Sequence, residues 1–183
     1  PGANLGKGSK VGNFTEVIVR TFIWTFFSVS TKMIIGMAGA VLLNAAIPGQ
    51  AVFRILTMPP WIVPMAIGIF MWGWMYNGQF GLTDGPVAFL AYGSTAFWAT
   101  IITDVWIGVP MVTIYFLAAM QAIPKDLYEA AWTDGASRWT RFRRITPPLM
   151  SPAIITMSML SLIATFNSFD IIWILTQGGP SGE

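Results

Sequence analysis

Four stretches of the chain are apolar at nearly every position: roughly Val17 to Asn44, Phe53 to Tyr76, Phe97 to Met120 and Met150 to Thr176. A helix crossing the hydrocarbon core of a bilayer needs about 20 such residues, so each stretch predicts one span. None shows the single apolar stripe of a water-facing helix. The pattern predicts an all-α polytopic membrane bundle, whose backbone polar groups are satisfied within each helix. Pro59, Pro60 and Pro64 punctuate the second span and Pro110 the third, each removing an amide donor and favouring a kink. The whole chain reads as one transmembrane domain, with no internal repeat or low-complexity stretch.

The polar positions orient the spans. Five of the ten Lys and Arg residues, Lys125, Arg138, Arg141, Arg143 and Arg144, fall in the connector 121–149, whereas the connector Asn77 to Ala96 has none. Basic residues collect on the cytoplasmic side, so the 121–149 loop is expected inside. The short turn Ala45 to Val52, with Arg54 beside it, is expected inside too, and the Asn77 to Ala96 segment outside. Trp72, Trp74, Tyr76, Trp98 and Trp173 then fall near the outer interface, where amphipathic rings settle. Lys7 and Lys10, on the outer N-terminal segment, run against the rule.

Composition narrows the chemistry. The 183 residues are 55% hydrophobic and 10% charged, against roughly a quarter charged in a soluble domain. A net charge of +2, with the basic residues gathered in one loop, does not make a nucleic-acid surface. Without cysteine or histidine the chain lacks thiol nucleophiles, the usual zinc ligands and the commonest general base. No catalytic residue, metal site or resident cofactor is expected, and the surrounding partner is membrane lipid. The chain opens Pro1-Gly2-Ala3-Asn4, with neither an initiator Met nor a signal-peptide pattern, which reads as a segment of a longer protein.

The cytoplasmic loop carries the most specific motif. From Glu129 it reads EAAWTDGASRWTRFRRITPP, and it resembles the cytoplasmic signature of permease subunits of binding-protein-dependent ABC importers. That signature is EAA, three residues, Gly, nine residues, Ile, one residue and then Leu-Pro; Glu129, Ala130, Ala131, Gly135, Ile145 and Pro148 match it, while Pro147 replaces the usual Leu. Small alanines let a helix approach a partner closely, Gly135 permits a sharp turn, and Glu129, Asp134, Arg138 and Arg141 can set register across an interface.

The resemblance implies a helix-turn-helix seated in a cleft of a cytoplasmic ABC ATPase dimer, which carries the ATP and Mg. It also implies a second permease subunit, an extracytoplasmic solute-binding protein and a multi-pass place in a bacterial or archaeal inner membrane. The fold it implies is the type I ABC importer permease, here four spans of a six-span core. A second stretch, FNSFDIIWILTQGGP, resembles the first permease of the maltose, lactose and glycerol-phosphate group, through Leu175, Thr176, Gly178, Gly179 and Pro180. Leu42-Leu43-Asn44 and the Asn77-Gly-Gln-Phe-Gly-Leu connector fit the same group, so sugar or polyol uptake is the implied function.

Asp104 is the one carboxylate deep in the third span, and intramembrane acids are costly enough to mark functional sites. Asp104, Ile107, Gly108 and Met111 share helical spacing, as do Ser161, Ala164, Thr165 and Ser168 on the fourth span. Both stripes match positions lining the sugar site of the maltose-type permease, and a carboxylate with hydroxyls suits polyol recognition. The competing reading is an ion-coupled secondary transporter or channel in which Asp104 carries the ion. Lys32, deep in the first span, either snorkels inward or pairs with a carboxylate.

Overall fold

A computed structural model describes residues 14–45, 52, 55, 57–78, 90 and 93–177. Among them the ordered elements are helices: α1 (Phe14–Asn44), α2 (Pro59–Ile62), α3 (Met65–Met75), α4 (Gly93–Gln121), α5 (Lys125–Thr133), α6 (Arg138–Leu149), α7 (Ser151–Phe166) and α8 (Phe169–Thr176). Among the described residues, only α1 and α4 are single helices long and apolar enough to cross a membrane. At 1.5 Å per residue each exceeds 40 Å, roughly, against a hydrocarbon core of about 30 Å.

The other two expected spans are interrupted. In the second, Pro64 forces Val63 out of helical geometry to φ −76°, ψ 129°, separating α2 from α3. In the fourth, the side chains of Asn167 and Ser168 donate to the carbonyls of Ile163 and Ala164. Such local bonds compete with the helix ladder. The Phe169 amide closes onto Asn167 O at 2.8 Å across Ser168 (φ −77°, ψ 60°), the geometry of an inverse γ-turn. By contrast α4 runs through Pro110 as one helix.

α1 and α4 form the most extensive pair and run parallel: Trp24 meets Thr100, Lys32 meets Asp104, Gly36 meets Val112 and Gly39 meets Thr113. Small residues make this approach possible. A Cβ on Gly36 would overlap the Val112 side chain and one on Gly39 would lie 3.0 Å from that of Thr113, while Ala40 is wholly buried. Lipid is as apolar as leucine, so close packing rather than hydrophobic burial holds such helices together. α7 and α8 lie against α4, and α7 also touches α1.

Two further clusters fix the ends. Val112, Phe116, Met120, Ile123, Met150 and Met157 pack with Ala40 toward the α5–α6 end, and Ile69, Tyr76, Ala99, Ile171 and Leu175 join α3, α4 and α8 at the other. Tyr76, expected at a wet interface, is instead buried and donates to Ala99 O at 3.2 Å, pinning the end of α3 to α4. Large side chains such as Phe26 and Ile34 remain 67% and 71% exposed on α1, the surface a lipid or neighbouring helix covers.

Candidate functional site

Two places bring the sequence candidates together: a polar seam among α1, α4 and α7, and the helix-turn-helix α5–α6.

At the seam, Lys32 Nζ lies 2.7 Å from Asp104 Oδ2 and donates to Thr165 Oγ1 at 3.0 Å. Both charged side chains are under 10% exposed. The carboxylate contact is ionic, off the alignment of a hydrogen bond. The lysine stem crosses Gly108, where a Cβ would stand 2.8 and 2.9 Å from Lys32 Cε and Cδ. Any larger residue at position 108 would push the ammonium away from its partners. Gly108, expected to offer bare backbone, is thus the groove that seats Lys32.

Lys32 belongs to an α1 stripe with Thr25 and Ser28, all buried. Among the described residues the Thr25 and Ser28 hydroxyls have no hydrogen-bond partner, in a position where buried polar groups are normally paired. Opposite them, Trp24 donates to Thr100 Oγ1 at 3.1 Å and Thr103 donates to Ala99 O.

The structure therefore gathers Asp104, Gly108 and Thr165 around Lys32, with Ser161 buried one turn from Thr165 on the same face of α7. It does not gather the others. Ile107 packs toward the α3–α8 cluster, Met111 and Ala164 are exposed, and Ser168 bonds its own helix. Thr25 and Ser28 lie outside both stripes expected from the sequence, although their i, i+3, i+7 spacing with Lys32 marks one helix face.

At the other end, the EAA segment lies on α5, with Glu129 and Ala130 exposed and Ala131 half-buried. The spacing from EAA to Gly has a backbone reason. Gly135 sits at φ +78°, its amide donates to Trp132 O at 2.9 Å, and the Ala136 amide donates to Ala131 O at 2.9 Å. This pair of bonds is the Schellman closure, whose left-handed position favours glycine. α6 then starts on Ser137, whose hydroxyl accepts from the Thr140 amide at 3.2 Å. Ser137→Ala is expected to cost about 1 kcal/mol of local stability, read as faster amide exchange at the start of α6.

Tyr128 OH meets Thr146 Oγ1 at 2.8 Å, tying α5 to α6. Asp134, Arg138 and Pro148 are exposed, and Ile145 packs half-buried on the Phe116 cluster. Pro147 and Pro148 remain helical within α6, and the chain bends by 62° into α7 at Met150. Pro147, Pro148 and Pro152 withhold amides from the carbonyls of Arg143, Arg144 and Pro148, which weakens the ladder at this bend. Trp132 and Trp139 stand 69% and 67% exposed on the helix-turn-helix, and exposed aromatics of that size favour interface centres.

Residues 2–183 match the family described as binding-protein-dependent transport system inner membrane component. The trehalose/maltose transport system permease protein MalF of Thermococcus litoralis is 42% identical, over 88% of this chain and 58% of its own. The maltodextrin transport system permease protein MdxF of Bacillus subtilis is 33% identical, over 94% of this chain and 43% of its own. The chain thus spans about half the length of these relatives. Among solved structures, a chain of the bacterial alginate ABC transporter, solved with its alginate pentasaccharide-bound periplasmic protein, superposes with TM-score 0.81 at 21% identity, covering 93% of this chain and 63% of that one. The MetNI methionine ABC transporter gives TM-score 0.64 at 19% identity, covering 90% and 75%. The fold is that of type I ABC importer permeases. The Gly178, Gly179 and Pro180 part of the sugar-group motif, and Gln79 to Leu82 of the connector motif, lie outside the described residues.

Proposed function

We propose that this chain, which belongs to the binding-protein-dependent transport system inner membrane component family, is the transmembrane subunit of an ATP-driven importer of a sugar or polyol. The relatives named for trehalose, maltose and maltodextrin transport support that substrate class. The subunit works in a bacterial or archaeal inner membrane, with a second permease, an extracytoplasmic solute-binding protein and a cytoplasmic ATPase dimer. The chemistry of ATP and Mg belongs to the ATPase.

The observation that carries the coupling role is the Schellman turn joining Ala131 to Gly135 and Ala136. It sets α5 at a fixed angle to α6, and α6 leads through Met150 into the α7 span. A push on Glu129, Ala130 and Ala131 from a closing ATPase would travel along α6 to Ser161 and Thr165. Asp134 and Arg138 flank the turn and supply charges for register. The proposed path is lined by Asp104, Gly108, Ser161 and Thr165; Ile107, Met111, Ala164 and Ser168 point away from it. The ion-coupled alternative loses support because Asp104 already faces a fixed ammonium.

The test is the full-length subunit reconstituted with its ATPase and binding protein. Gly135→Val has open space around it, so its cost is the left-handed backbone alone, about 1–2 kcal/mol. The assembled complex is expected to keep hydrolysing ATP while sugar uptake falls. Normal uptake per ATP in that variant would remove the coupling role.

A further inference from the structure

Among the described residues, Lys32 and Asp104 are the only charged side chains buried inside the bundle; the rest sit at helix ends or on α5–α6. The charge of the seam is therefore set by this one pair. With Asp104, Thr165 and the space over Gly108, Lys32 meets three points on two other helices where the proposed path runs. The unpartnered Thr25 and Ser28 hydroxyls stand on its own stripe, and the parallel register puts Ser28 between the Trp24–Thr100 contact and the ion pair.

We propose that Lys32 is a specificity-determining residue of the translocation path: paired with Asp104 it makes the seam polar but uncharged, so that the path passes neutral carbohydrate in preference to sugars bearing a carboxylate. The inference rests on the sugar-importer reading above. Its physical basis is that charges interact strongly in a low-dielectric interior. A neutral polyol can donate hydroxyl hydrogens to Asp104 and accept from Lys32, and the free Thr25 and Ser28 hydroxyls offer further exchange. An anionic sugar brings a charge that a zero-sum pair does not compensate. Removing one partner gives the seam a sign, and the sign dictates the preference.

The experiment uses the complete transporter in proteoliposomes with its binding protein held constant. It compares uptake of maltose with uptake of its aldonic acid, maltobionate. The reading is the acid-to-neutral uptake ratio relative to wild type, which cancels delivery, abundance and general loss of stability. Asp104→Asn, leaving an ammonium, is expected to raise the ratio by about tenfold or more, and Lys32→Gln to lower it similarly. The double variant Lys32→Gln/Asp104→Asn is expected to return to within about twofold of wild type. A merely structural pair would reduce uptake of both sugars and leave the ratio unchanged. That result, or any shift of the opposite sign, overturns the proposal.

Where a single variant takes up neither sugar, a thiol probe decides. The chain has no cysteine, so Ser161→Cys places one thiol on the α7 face beside Thr165. Its reaction with anionic against cationic methanethiosulfonate reagents must rise in Asp104→Asn and fall in Lys32→Gln; an unchanged ratio or an unreactive thiol overturns the proposal. Absence of ATP-driven uptake of any tested sugar by the wild-type complex would instead sink the sugar-importer reading, while the thiol ratios would still judge the charge assignment.

Discussion

Lys32→Met is expected to destabilise the bundle by about 3–5 kcal/mol, the usual consequence of leaving one member of a buried ion pair without its partner. The Asp104 carboxylate would remain buried beside Thr103 and Val105, with no cation within reach among the described residues. α1 and α4 pack closely beside the pair, at Gly36 and at Gly108. Adding Asp104→Asn to the same chain removes the stranded charge and should restore most of the loss. The measurement is the thermal unfolding midpoint of the purified full-length transporter for the two single variants and the double. A double variant as unstable as Lys32→Met would show that packing, not charge, holds this contact. By the same reasoning Asp104→Ala lowers assembled transporter as well as uptake, since it strands the ammonium of Lys32.

Gly36→Leu is expected to separate α1 from α4, at a cost of about 1–3 kcal/mol or more. Its first side-chain atom would already overlap Val112, whose Cβ lies 2.8 Å from the ideal position. Neither helix can rotate away freely: Gly39 faces Thr113 three residues on, and Lys32 is fixed to Asp104 one turn before. The displacement would propagate to the ion pair, so reduced stability and reduced uptake should appear together. Gly73→Ala is the matched control, because its Cβ would meet Leu175 at an ordinary 3.5 Å. It is expected to shift stability by no more than about 0.5 kcal/mol. Equal melting of the two variants would contradict the close-approach account of the α1–α4 interface.

Several features were legible along the chain because their causes are local. Hydropathy over about 20 residues marked α1 and α4 to within a few residues of their ends. The EAA-to-Gly spacing marked the turn, since a Schellman closure spans only Ala131 to Ala136. The break at Pro64 follows from a missing amide and a restricted preceding residue. The γ-turn at Ser168 was less visible. Asn167 and Ser168 are polar, but only the backbone geometry shows that they divert the carbonyls of Ile163 and Ala164. The faces of the two polar stripes were half legible: helical spacing grouped Asp104 with Gly108 and Ser161 with Thr165, yet it also included Met111 and Ala164, which turn outward.

By itself, the sequence determined that this is an all-helical membrane chain, where its long spans lie, which loop bears the EAA motif and which family it joins. Each of these depends on composition or spacing within one segment. Only the tertiary structure decided that Lys32 faces Asp104 and Thr165, partners 72 and 133 positions away, and that Gly108 serves as the groove for its stem. The reason lies in the helices themselves. Spans apolar on every side carry no stripe to tell an inner face from an outer one, and lipid exerts no hydrophobic force to sort those faces. Rotation and register are then fixed by close fit at Gly36, Gly39 and Ala40 and by a buried charge seeking its opposite.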